Sequence, residues 1–178
     1  LGFILKEDTL AGHLEITEAL HHSFSGTWEQ IWGEDRIVEN NYHEMTIRVQ
    51  KTSTPKRKFN VVFRLFNDGF GFRYEFPEQE ALKDFVIMDE LTEFALTGDH
   101  KAWSIPYEAH FYEALYEASP VSKLGWVSTP LTMETNDGLF LSIHEANLTD
   151  YAAMNLIPKE GSMTLKANLT PWSTGEKV

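Results

Sequence analysis

The polar and apolar positions of the chain alternate with period two over many short stretches, which is the mark of strands with one face turned inward. Two stretches are the clearest. Phe59–Phe66 and Phe70–Phe76 flank Asn67-Asp68-Gly69, a sequence suited to a tight hairpin turn. Phe70, Phe72, Tyr74 and Phe76 then fall on one face and Gly71, Arg73 and Glu75 on the other. The stretch Leu131–Tyr151, LTMETNDGLFLSIHEANLTDY, repeats the device with Asn136-Asp137-Gly138 at its turn. After that turn Leu139, Leu141 and Ile143 alternate with Phe140, Ser142 and His144, and Glu145 continues the apolar set. A carboxylate at the end of an apolar strand face has two readings, solvent at the sheet's rim or a cation or substrate held there. By residue type alone the rim is the ordinary one.

The rest of the chain follows the same pattern. His13–Trp32 and Arg36–Thr52 alternate with interruptions, and Ser53-Thr54-Pro55-Lys56 breaks the run. Asp84–Met88, Leu91–Thr97 and Met163–Leu169 predict further short strands. Tyr107–Ala118 alone has helical spacing, with Tyr107, Phe111 and Leu115 at i, i+4 and i+8, although its flanks also suit an irregular loop. Many short strands between turn signals predict an all-β, antiparallel sandwich. The domain is expected to span residues 1–172. The small, polar tail Ser173–Val178 reads as the start of a linker.

At 178 residues, with 42% hydrophobic content and 12 Phe, 6 Tyr and 5 Trp, the chain has the material for one substantial core or two small ones. Its formal charge of −12 argues against nucleic acid or an anionic membrane as partner, since both reward basic patches. The absence of cysteine excludes disulfides and thiolate metal sites. Nothing approaches the ~20 apolar residues of a membrane-spanning helix.

Catalytic motifs are scarce. His21-His22 are strand neighbours that face opposite ways, and no HExxH pattern or zinc-type cluster occurs. No GxSxG elbow or phosphate-binding glycine loop is present. Asn147-Leu148-Thr149 and Asn168-Leu169-Thr170 match the glycosylation sequon, a pattern common by chance. Trp28, Trp32, Trp103, Trp126 and Trp172 are candidate sugar-stacking rings, with core packing as the ordinary alternative. Glu145, Asn147 and Asp150 place hard oxygen ligands close together, but without the spacing of an EF-hand loop.

Three segments together resemble one family. FRLFNDGFGFRYEFPEQ (63–79), IMDELTEFALTGDHKAWSIP (87–106) and TPLTMETNDGLFLSIHEANLTDYAAMNL (129–156) are similar to the N-terminal domain of glycoside hydrolase family 97. The likeness runs from Leu1-Gly2 to Gly175-Glu176-Lys177-Val178. It implies a β-supersandwich like those of the galactose-mutarotase type, followed in the parent protein by a catalytic (β/α)₈ barrel. Such a barrel needs ~250 residues of its own. It implies an α-glucosidase or α-galactosidase parent, acting on oligosaccharides in the bacterial periplasm, with calcium in its active site and the acid and base on the barrel. The fragment alone is then expected to be inactive. The family's N-terminal domain gives one glutamate to calcium from a strand-end His-Glu-Ala segment, which matches His144-Glu145-Ala146 here. The resemblance therefore makes Glu145 a metal ligand, and neither the acid nor the base. A self-contained carbohydrate-binding module is the alternative.

Overall fold

The computed structural model describes residues 1–109, 112–172 and 178. In chain order the strands are β1 (Phe3–Leu5), β2 (Thr9–Leu10), β3 (Leu14–Phe24), β4 (Thr27–Glu29), β5 (Ile37–Glu39), β6 (Tyr42–Lys51), β7 (Lys58–Leu65), β8 (Phe70–Glu75), β9 (Ile87–Glu90), β10 (Glu93–Ala95), β11 (Lys101–Ser104), β12 (Glu117–Pro120), β13 (Val127–Ser128), β14 (Leu131–Glu134), β15 (Phe140–Ile143), β16 (Met154–Pro158) and β17 (Thr164–Leu169). A single 3₁₀ turn, Val121–Lys123, is the one helical element among the described residues. All strand pairs are antiparallel. The expected all-β class is what the chain adopts.

The chain divides into two compact units, Leu1–Ala11 with Phe85–Val178, and Gly12–Asp84. The first unit is a sandwich. One sheet has the order β10-β17-β16-β13 and another β12-β11-β14-β15, while β2-β1-β9 forms a third, smaller sheet. Ala102, Leu131 and Met133 from one sheet meet Val127, Leu156 and Leu165 from the other, with Val121 beside them. Period two produces this layer: Leu131 and Met133 are fully buried while Thr132 and Glu134 are not.

The β14–β15 hairpin closes as its sequence predicts. Gly138 takes a φ of 84°, and its N–H donates to the Thr135 carbonyl at 3.0 Å. The register sets Leu131 opposite Ile143 and Met133 opposite Leu141, which seats Ile143 against the core cluster. Phe140, on the other face, stacks on Trp103 with ring centroids 6.1 Å apart.

The second unit carries the sheet β3-β6-β7-β8 and a two-stranded ribbon, β4–β5. One sheet face is apolar, with Phe59, Phe63, Phe72 and Tyr74 in ring contact at 5.8–6.3 Å. The other face carries the ion pairs Arg64–Glu44 at 2.7 Å and Arg48–Glu18 at 2.5 Å. At Asn67–Gly69 the Phe66 N–H donates to the Gly69 carbonyl, so the second Asn-Asp-Gly turn is a hairpin too.

The helical spacing of Tyr107–Ala118 does not produce a helix among the described residues. His110 and Phe111 lie outside them; Tyr112 to Tyr116 have no regular structure, and Glu117 opens β12. The backbone has other partners: the Tyr107 N–H donates to the Trp126 carbonyl at 3.0 Å, and Pro106 bridges Val127. Tyr112 and Leu115 are exposed, so neither is turned toward a core. The tail Ser173–Lys177 also lies outside the described residues, while Val178 exchanges backbone hydrogen bonds with Ile87.

The sandwich layer sets the stability. Met133→Ala should lower the unfolding free energy by about 2–5 kcal/mol through the cavity it leaves. Leu139→Ala, at a position more than half exposed, should cost less than about 1 kcal/mol. Urea unfolding of the two variants checks both values.

Candidate functional site

Glu145 lies two residues beyond the last ladder pair of β15, Leu131 with Ile143. It is half-buried, and its Oε1 accepts the N–H of Met154, the first residue of β16, at 2.9 Å. The carboxylate thus closes the loop that joins the two strands. The ring Nδ1–H of His144 donates to the Glu145 carbonyl at 2.8 Å, and the residue is exposed.

A second carboxylate belongs to the same site. Glu90 ends β9 and is only 7% exposed. The Thr92 hydroxyl donates to Glu90 Oε1 at 2.5 Å and the Tyr151 hydroxyl to Oε2 at 2.6 Å. These bonds meet the requirement that a buried charge keep its hydrogen bonds. Burial raises the Glu145 carboxyl above its ordinary range, and the nearby Glu90 charge adds to that rise. The Met154 N–H and His144 pull the other way.

The structure does not gather the other oxygen ligands of the loop around Glu145. Asn147 is exposed and its Oδ1 accepts the Thr149 hydroxyl at 2.9 Å. Asp150 is exposed with a φ of 53°. Among the described residues no three His, Asp or Glu side chains converge to hold a metal. Calcium takes 6–8 oxygens. The described residues thus do not make up a calcium site by themselves, and Glu145 is the half-buried carboxylate they could contribute to one.

The aromatic candidates are dispersed. Trp103 is partly buried under Phe140 with Lys101 Nζ 4.5 Å from its ring, and Trp126 lies against Tyr107. Trp28 and Trp32 belong to the β4–β5 ribbon, and Trp172 is exposed near the end of the chain. His21 and His22 face opposite sides of β3 and are both exposed. Sequence reasoning missed Glu90 and Tyr151, whose pairing spans 61 positions and leaves no local signal.

Residues 1–174 match the family described as Glycosyl-hydrolase 97 N-terminal. The chain belongs to glycoside hydrolase family 97. A family-97 enzyme of Pseudoalteromonas sp. strain K8, solved in complex with acarbose and as a variant in complex with panose, is 38% identical to this domain with a TM-score of 0.94. The alignment covers 99% of this domain and 27% of that enzyme. A retaining α-galactosidase of Bacteroides thetaiotaomicron is 27% identical over 150 residues, which cover 76% of this domain and 21% of that protein. A β-arabinopyranosidase at 18% identity and a TM-score of 0.83 shares the fold. The family-97 domain thus spans about a quarter of the length of these relatives.

The raised Glu145 carboxyl gives this domain a pH signature in the absence of metal. Because the folded pKa lies above the unfolded one, the folded state holds its proton more tightly. The penalty is then complete above the raised value and is relieved as pH falls toward the ordinary carboxylate range. In chelator, Glu145→Gln should melt at or above the wild type near pH 7, since Gln keeps an oxygen for the Met154 N–H. The difference should close as the pH approaches about 4.5. Thermal melts across that range decide it, and a variant less stable than wild type at neutral pH would contradict the assignment.

Proposed function

We propose that this domain is the non-catalytic N-terminal part of a periplasmic family-97 α-glycosidase. There it packs on a catalytic barrel of the same polypeptide and lends Glu145 to a calcium ion in the active site. The observation that carries the calcium role is the pairing of two carboxylates. Burial and the charge of Glu90 both work against an ionised Glu145, and a bound cation would offset that cost. Calcium in such a site acts as a Lewis acid and template for the sugar. Glu145 contributes a fixed negative oxygen, held in place by the Met154 N–H. The general acid and the base or nucleophile belong to the barrel, which acts on α-glucosidic or α-galactosidic bonds.

Packing against further protein accounts for the surface of the second unit. Ile31 is fully exposed and Trp32 is 87% exposed at the tip of the β4–β5 ribbon, while Leu65 and Phe70 are more than half exposed at the β7–β8 turn. Exposed aliphatic and aromatic side chains of this kind mark a protein contact. This favours docking on the barrel over a free-standing carbohydrate-binding module.

The isolated chain should not hydrolyse nitrophenyl α-glucoside or α-galactoside, and measurable turnover would refute the non-catalytic role. In the full-length enzyme, Glu145→Gln should lower calcium affinity and kcat/KM together, each by at least about tenfold. If neither changes, the ligand role is lost. Trp32→Asp should lower the Tm of the full-length enzyme and leave that of the isolated chain unchanged. Parallel calorimetry of the two forms tests this.

A further inference from the structure

The loop from β15 to β16 has no regular structure, and Ala146 to Asp150 are exposed. Such a segment does not hold a side chain in one place by itself. Two contacts fix it near its far end. The Ala153 carbonyl accepts the Thr170 N–H at 2.8 Å, and the Tyr151 hydroxyl donates to Glu90 at 2.6 Å. Asp150, directly before Tyr151, is in the left-handed region at a φ of 53°, an uncommon conformation that the fixed ends of the loop sustain. Glu90 is itself held on a strand of a different sheet, with the Thr92 hydroxyl on its other oxygen. Three residues after Tyr151, the Met154 N–H reaches back to Glu145. The path Thr92–Glu90–Tyr151–Met154–Glu145 therefore links β9 to the carboxylate through hydrogen bonds and three residues of backbone.

We infer that Glu90 and Tyr151 are positioning residues that set the placement of Glu145 for the ion, an inference that rests on the calcium role proposed above. Neither residue needs to touch the metal or the sugar. Glu90 supplies a buried, immobile acceptor. Tyr151 transmits that fixed point to the loop. Met154 stays in the β16–β17 ladder opposite Leu169, but without the Tyr151 hydroxyl the loop that brings Glu145 up to it loses its tie to β9, and Glu145 samples orientations unsuited to the ion. Only the subset of correctly placed molecules then binds, which weakens the apparent affinity in proportion.

Tyr151→Phe in the full-length protein is the test, because it keeps the ring and removes only the donor. Calcium titration calorimetry should give a Kd about tenfold higher, the size expected for a hydrogen bond to a charged group. Amide exchange at Met154, whose N–H reports on the Glu145 bond, should accelerate by a similar factor in chelator. Saturating calcium should restore activity, and the metal-free Tm should move by no more than a few degrees. A wild-type Kd with unchanged Met154 exchange overturns the inference, and so does a large fall in Tm at wild-type Kd, which would make the bond purely structural. Glu145→Gln in the same calorimetry separates the two levels of argument. If it too binds calcium as wild type does, the ligand reading fails and Met154 exchange alone judges the positioning role. Faster exchange in Tyr151→Phe then sustains it, and unchanged exchange overturns it.

Discussion

The pairing of Leu131 with Ile143 governs much of what this domain can do. It seats Ile143 in the layer between the two four-stranded sheets and so pins the end of β15. A slip of one residue would turn Ile143 outward and drive Ser142 or His144 toward the core. The apolar layer makes that slip costly, since Leu131 and Met133 are already fully buried opposite. Glu145 therefore emerges at one defined place on the sandwich. Its chemistry is a consequence of packing two residues earlier.

Beyond that point the controlling forces change from apolar burial to paired charge and hydrogen bonding. Glu90 and Glu145 are brought together by strands from different sheets, and each oxygen with a partner is held by a hydroxyl or a peptide N–H. Bringing two carboxylates toward a dry region works against folding, and proteins accept such arrangements mostly where function needs them. The tension is local to this edge of the sandwich. The ion pairs on the second unit, such as Arg64–Glu44, match charge with charge and lie on a polar sheet face.

The hairpins were legible because their information is local. Asn-Asp-Gly turns flanked by alternating residues specify pairing over a dozen positions, and both were found where the pattern put them. Tyr107–Ala118 misled for the converse reason: helical spacing has value only if a face is buried, and the backbone there pairs with neighbouring chain instead. Glu145 stood out as an acid at the end of an apolar strand face, but its alternation fitted a rim residue equally well. Its significance came from the family motif around it. Glu90 and Tyr151 were invisible, since neither is unusual in its own segment and only the sheet topology makes them neighbours.

The split of the first unit along the chain has a temporal side. Phe3 pairs with Glu90, and Gly12–Asp84 lies between the two halves of that unit. The sheet of the inserted unit is built from strands adjacent in sequence and completes its pairing early. Meanwhile β1 waits until β9 comes within reach across the whole of that insertion, a long loop to close. During that interval Phe3 and Leu5, both destined for burial, have no strand to cover them. Strand β1 is thus among the last elements to find its native neighbours, and the sandwich around Glu145 closes only once β9 and the strands that follow it are in place.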